Sequence, residues 1–164
     1  LFLHSMKEKA LLFKDLLSHK KDIVITTHRG PDGDAMGSSL ALYNLLIKLG
    51  HNVTVVTPND YASFLHWMPG NDNVIEFVGN EELATSITNK AELIIMLDFN
   101  SKNRLDKYSD TVFRLNTYKI LIDHHQDPDL EIADLIFSDS TSSSTAQLLY
   151  YLVEHLLKKI HALL

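Results

Sequence analysis

Thr27-His28-Arg29-Gly30-Pro31-Asp32-Gly33-Asp34-Ala35-Met36-Gly37-Ser38 is the stretch on which the reading of this chain turns. It follows the apolar run Ile23-Val24-Ile25 and precedes a helical pattern from Ala35 to Leu49, so it reads as a strand-to-helix turn. From His28 to Ser38 it carries one His, two carboxylates and three Gly within eleven residues. Two other apolar runs end in the same kind of residue. Leu93-Ile94-Ile95-Met96-Leu97 is followed by Asp98, and Lys119-Ile120-Leu121-Ile122 by Asp123-His124-His125.

Working outward, strand and helix patterns alternate. Residues 6–20 have helical spacing through Met6, Leu11, Leu12, Leu16 and Leu17. Ile23 to Thr26 is β-branched and apolar throughout, as a strand buried on both faces reads. Ser38 to Leu49 is amphipathic, with Gly50 as its C-terminal stop. A strand follows at 53–57, then a short helix within 60–68 bearing Trp67, a strand at 74–78 and a helix at 81–89. Residues 103–108 read as helical and 132–137 as a strand or extended loop. A long helix runs from Ala146 to about Leu164, opened by Ser142-Ser143-Ser144-Thr145. The pattern predicts an α/β fold, a mostly parallel sheet flanked by helices on both faces. No repeat, linker or boundary divides it, so residues 1–164 read as one domain. In such sheets ligands bind beyond the carboxyl ends of the strands. That is where His28, Asp32, Asp34, Asp98 and Asp123-His124-His125 fall.

The totals narrow the function. With 164 residues, 45% hydrophobic, the chain has enough apolar material for a core. It has no run of 18 apolar residues, so no membrane span is expected. Leu1 to Ser5 lack a basic segment and a cleavage site, and Met6 is a candidate native start. There is no Cys, which excludes disulfides and thiolate metal sites, and a cytoplasmic location is expected. A net charge of −6 argues against a general nucleic-acid clamp, though not against short oligonucleotides or nucleotides held through a metal. Of nine His, His4, His19, His51, His155 and His161 read as surface or helix-end residues.

Each piece of the constellation has a plainer reading. Pro31-Asp32-Gly33 is an ordinary turn, and Asp98 equally suits a helix N-cap. Together they gather carboxylates that repel one another unless protonated or neutralised, and a divalent cation removes that conflict. Mixed carboxylate and imidazole donors suit Mn²⁺ or Mg²⁺, with Zn²⁺, Fe²⁺ or Co²⁺ as further possibilities. Asp32, Asp34, Asp98, His28 and His124 are more ligands than one catalytic ion takes, so two ions are expected. Paired ions suit phosphoester or phosphoanhydride hydrolysis.

His28-x-x-Pro31-Asp32-Gly33-Asp34-x-x-Gly37-Ser38, then Asp98, then Asp123-His124-His125, resemble the first three motifs of the DHH phosphoesterase family. Ser142-Ser143-Ser144-Thr145-Ala146, and the run from Asp98 to Arg104-Leu105, resemble its oligoribonuclease and 3′-phosphoadenosine-5′-phosphate phosphatase branch. The resemblance implies that His28 and Asp32 ligate one Mn²⁺, Asp34 and His124 a second, and that Asp98 bridges them. It implies that Asp123 orients a His and that His125 contacts the scissile phosphate. Arg104 would bind a phosphate or make a surface ion pair. Ser142, Ser143 and Ser144 would bind phosphate or cap their helix. The implied substrates are short oligonucleotides or 3′-phosphoadenosine-5′-phosphate, and a homodimer is possible. Pyrophosphate hydrolysis and a non-catalytic nucleotide-binding module are the alternatives. The family's fourth motif, an Asp, and its C-terminal substrate-binding domain have no match in the 164 residues.

Overall fold

The computed structural model describes residues 2–161. Six strands form one sheet: β1 (Asp22–Thr27), β2 (Asn52–Thr57), β3 (Val74–Glu76), β4 (Leu93–Leu97), β5 (Tyr118–Asp123) and β6 (Leu135–Ser138). Every pairing is parallel, and the order is β3-β2-β1-β4-β5-β6. Five helices connect and cover the sheet: α1 (Phe2–Leu16), α2 (Gly33–Lys48), α3 (Glu81–Lys90), α4 (Tyr108–Phe113) and α5 (Thr145–His161). The expected α/β architecture is what the chain adopts.

Alternation along buried strands sorts the core into two layers. Ile23, Ile25, Ile95 and Ile120 face α1, α2 and α5 through Phe13, Met36, Leu40 and Leu148. Val24, Ile94, Met96 and Leu121 face α3 and α4 through Ala84, Tyr108 and Val112. No residue of β4 is more than 1% exposed, which is why its sequence shows no polar alternation. Each such side chain contributes about 1.5–3 kcal/mol by leaving water.

The end of α2 follows its sequence signal. Gly50 takes φ +92, its N–H donates to the Ile47 carbonyl, and the His51 N–H donates to the Leu46 carbonyl. This closing turn leads the chain back under the helix. It therefore buries His51, which is 5% exposed, against the expectation of a surface His. The His51 Nδ1 accepts from the Lys21 N–H at 3.3 Å, and burial holds its pKa below the ordinary value. His19 is exposed as expected, while the side chains of His4, His155 and His161 lie outside those described.

Other boundaries shift for local reasons. The first helix ends at Leu16, four residues short of the expected end. Within 60–68 only Ser63–Leu65 forms a 3₁₀ turn, and Trp67 beyond it is 78% exposed. The helical reading of 103–108 resolves into a 3₁₀ turn at Lys102–Leu105 and, after Asp106 at φ +50, the start of α4. The end of the long helix near Leu164 lies outside the described residues. Among those described, no helix is long and apolar enough to cross a membrane.

Candidate metal centre

Strand register builds the site. Thr27, Leu97 and Ile122 are paired partners in β1, β4 and β5. The next residue of each chain segment is His28, Asp98 and Asp123, so these three lie in one row at the carboxyl edge. Strand order reverses between β1 and β4, which is the crevice where such sheets bind ligands.

Two histidines are held in the same way. The His28 Nδ1–H donates to the Arg29 carbonyl at 2.9 Å, and the His124 Nδ1–H donates to the Ser142 carbonyl at 3.3 Å. A carbonyl only accepts, so both neutral rings carry their free lone pair on Nε2. The His28 Nε2 lies 3.6 Å from Asp98 Oδ2. The His124 Nε2 lies 3.6 Å from both Asp34 Oδ2 and Asp98 Oδ1. These separations are too long for hydrogen bonds and short enough for one cation to touch both atoms. Fixing the far nitrogen on a carbonyl is what metal-binding His commonly need. The donor set and its orientation fit divalent cations.

The carboxylates do double duty. Asp32 caps α2, its Oδ1 accepting from the N–H groups of Asp34 and Ala35, both at 3.0 Å. It also offers an oxygen within 4.8 Å of ligand atoms of His28 and Asp98, so turn and ligand readings coexist. Asp34 accepts from the Thr145 N–H at 2.7 Å and the Ala146 N–H at 2.9 Å, one on each oxygen. Asp98 is not an N-cap, because the next 3₁₀ turn has Ser101 at that position. Asp98 sits at φ +67, a left-handed conformation that Asp tolerates better than most residues. The Thr145 hydroxyl donates to its Oδ1 at 2.8 Å.

Crowding shows in the proton affinities. Burial, with Asp98 adding to it, raises the Asp34 pKa despite the two backbone N–H donors. Burial also works against the charged form of Asp98, but His28, Thr145 and His125 outweigh it and its pKa is lowered. Burial pushes His28 down, yet the Asp98 carboxylate and the Arg29 carbonyl prevail and leave it raised.

His125 behaves differently from its neighbour. Its Nδ1–H donates to Asp123 Oδ1 at 2.7 Å. The same nitrogen lies 3.8 Å from Asp98 Oδ1, within a group of side chains able to surround a cation. Because Asp123 occupies that nitrogen, the free donor or acceptor of His125 is Nε2, on a side chain 38% exposed. Asp123 is fully buried, and its Oδ2 has no hydrogen-bond partner among the described residues.

Arg104 stands beside the site. Its carbonyl accepts from the Arg29 N–H at 2.7 Å, and its positive charge opposes protonation of His28. The three serines have local partners instead. The Ser142 hydroxyl donates to Asp139 and the Ser143 hydroxyl to Gln147, while the Ser144 Oγ accepts from the Gln147 N–H at 3.0 Å. That is a capping arrangement at the start of α5. The hydroxyl that reaches the acids belongs to Thr145, which sequence reasoning left without a role. Asn59 was missed too; its Oδ1 accepts from the Gly30 N–H at 2.7 Å. Thr145 lies within the Ser142-to-Ala146 run, whereas Asn59 carries no motif signal.

Known proteins resemble this chain in sequence and in fold. The sequence model described as "DHH family, N-terminal domain" matches residues 22–163. The bifunctional oligoribonuclease and PAP phosphatase NrnA of Thermus thermophilus is 32% identical over 132 residues, covering 80% of this chain and 36% of that protein. An exopolyphosphatase-related protein from Bacteroides fragilis superimposes with a TM-score of 0.87 at 36% identity, over 91% of this chain and 44% of that one. RecJ of Thermus thermophilus, solved in complex with Mn²⁺, shares the fold at 16% identity and a TM-score of 0.59, over 95% of this chain and 21% of that one. The chain spans about two-fifths of the length of the curated relatives it matches. With motifs, register and sequence match in accord, the chain belongs to the DHH family.

Proposed function

We propose that this chain is the N-terminal catalytic domain of a Mn²⁺-dependent phosphoesterase acting on short oligonucleotides or 3′-phosphoadenosine-5′-phosphate. The observation that carries the proposal is the single row of strand ends that brings His28, Asp98 and Asp123-His124-His125 together with Asp32 and Asp34. His28 and Asp32 would hold one ion, His124 and Asp34 a second, and Asp98 would serve both. When bound, two such ions supply charge for phosphoryl oxygens and make water acidic enough to attack near neutral pH.

The chain's own residues do the rest. Asp123 fixes the His125 ring so that Nε2 faces outward, where a proton can be delivered to a leaving oxygen or charge on the phosphate can be stabilised. Arg104 offers a planar fork to a second phosphate oxygen. The carbonyl anchors of His28 and His124 keep both rings from turning, so little reorganisation is needed when substrate arrives.

The test is hydrolysis by the full chain of a dinucleotide, 3′-phosphoadenosine-5′-phosphate, pyrophosphate and a short polyphosphate, with and without Mn²⁺ and chelator. Polyphosphate joins the panel because of the likeness to the exopolyphosphatase-related protein. Chelator-sensitive turnover abolished in Asp98→Ala and His124→Ala is the expected result. Equal turnover by those variants and the unmodified chain sinks the proposal.

A further inference from the structure

We infer that Thr145 is a positioning residue that sets the orientation of the shared carboxylate, Asp98, while its backbone N–H holds Asp34. This rests on reading Asp34 and Asp98 as cation ligands.

The two oxygens of Asp98 face different histidines: Oδ2 faces His28 and Oδ1 faces His124, both at 3.6 Å. For both relations to hold together, the carboxylate plane must stay at one angle. The torsion that turns this plane is broad and weakly preferred on its own. Backbone geometry adds no help, because Asp98 already sits in a sparsely populated conformation. Among the described residues, the hydrogen bond to the Asp98 carboxylate is the Thr145 hydroxyl's, at 2.8 Å on Oδ1. Fixing Oδ1 fixes Oδ2 as well, because the two share one plane.

The donor is well made for this. Thr145 is fully buried, so water does not compete for its hydroxyl. Its β-branch limits χ1 to few rotamers, which confines where the hydroxyl oxygen sits. It opens the long helix α5, so its own backbone is anchored by the Ser144 and Gln147 cap. The N–H groups of Thr145 and Ala146 take one oxygen each of Asp34, the other acid beside His124. One helical turn therefore fixes two acids from different elements, Asp34 in the first turn of α2 and Asp98 at the end of β4. The neighbouring serines cap the helix, and the hydroxyl of that run that reaches Asp98 is the one on Thr145.

The experiment is a calorimetric Mn²⁺ titration of the full chain as wild type, Thr145→Val and Thr145→Ser, with thermal unfolding of each in chelator. Val keeps the shape and removes the donor; Ser keeps the donor. The expected result is a 10- to 100-fold weaker Mn²⁺ affinity for Thr145→Val, the usual loss for an outer hydrogen-bond partner of a metal ligand. Thr145→Ser should return to within about threefold of wild type. Wild-type affinity in Thr145→Val overturns the inference. So does an equal loss in both variants that tracks a lowered unfolding midpoint, since that would be a packing effect. If the wild-type chain itself binds no Mn²⁺, the reading of the acids as ligands fails first and takes this inference with it.

Discussion

Replacing Asp32 by Asn and by Ala separates two tasks of one carboxylate. Asp32 Oδ1 accepts from two N–H groups at the start of α2, both at 3.0 Å, on an exposed side chain. Ala removes the cap entirely, which costs about 1 kcal/mol, within a general range of roughly 0.5–2. It also removes a negative charge from the positive end of a helix, worth about 0.3–1 kcal/mol. Asn is as good a cap as Asp, so it loses only the charge term. Relief of repulsion from Asp34 and Asp98 offsets part of that loss. In chelator, Asp32→Ala should therefore unfold about 1–2 kcal/mol more easily than wild type and Asp32→Asn within about 0.5 kcal/mol. For a chain of this size, 1 kcal/mol moves Tm by roughly 2–4 °C. Mn²⁺ binding should fall in both variants, because both lack the anionic oxygen. Urea unfolding in chelator and calorimetric Mn²⁺ titration read the two effects separately. If Asn is as destabilised as Ala, the capping argument is wrong. If Asn binds Mn²⁺ like wild type, the ligand argument is wrong.

His124→Ala should lose Mn²⁺ affinity, whereas His125→Ala should keep it within about threefold and lose turnover by 10²–10⁴, because its Nδ1 is occupied by Asp123 and its Nε2 is free for chemistry. Calorimetry and kcat on the same samples decide this, and loss of Mn²⁺ binding in His125→Ala would make it a ligand. Mn²⁺ affinity should weaken as pH falls, beginning above 6.5, because the raised His28 must release its proton to bind a cation. In the metal-free chain His28 and Asp98 pull stability in opposite directions with pH. A raised His28 contributes stability fully present below its unfolded pKa and lost as pH rises through its folded value. Asp98, whose pKa is lowered, contributes stability above its unfolded pKa that is lost as pH falls through its folded value. Urea midpoints in chelator across this range test both signs. Tyr108→Phe should cost about 1 kcal/mol, since it deletes a 2.6 Å hydrogen bond to Thr88 between two fully buried residues. An unchanged urea midpoint would show that bond to be worthless.

Much of this protein was legible in one dimension. The apolar runs of β1, β4 and β5 and the helix from Ala35 are local patterns, and Gly50 ends α2 through its own backbone freedom. Spacing and residue type also marked His28, Asp32, Asp34, Asp98, His124 and His125, because acids and imidazoles at strand ends are chemically conspicuous. What local pattern lacks is register and partner. Pairing of Thr27, Leu97 and Ile122 sets His28, Asp98 and Asp123 level, and no single strand encodes that alignment. The hold on His124 is likewise tertiary, a carbonyl from residue 142, whereas Asp123 takes His125 from only two residues away. His51 looked polar and was buried by the turn that Gly50 makes. Thr145 looked like one more hydroxyl in a capping run. It reaches Asp98 across 47 residues because α5 packs its first turn against the strand ends. Side-chain chemistry and short-range backbone preference, both readable along the chain, set which groups are available and which segments carry them. Only the packed sheet decided which oxygen faces which nitrogen, since hydrogen-bond direction and distance exist only once the elements are in contact.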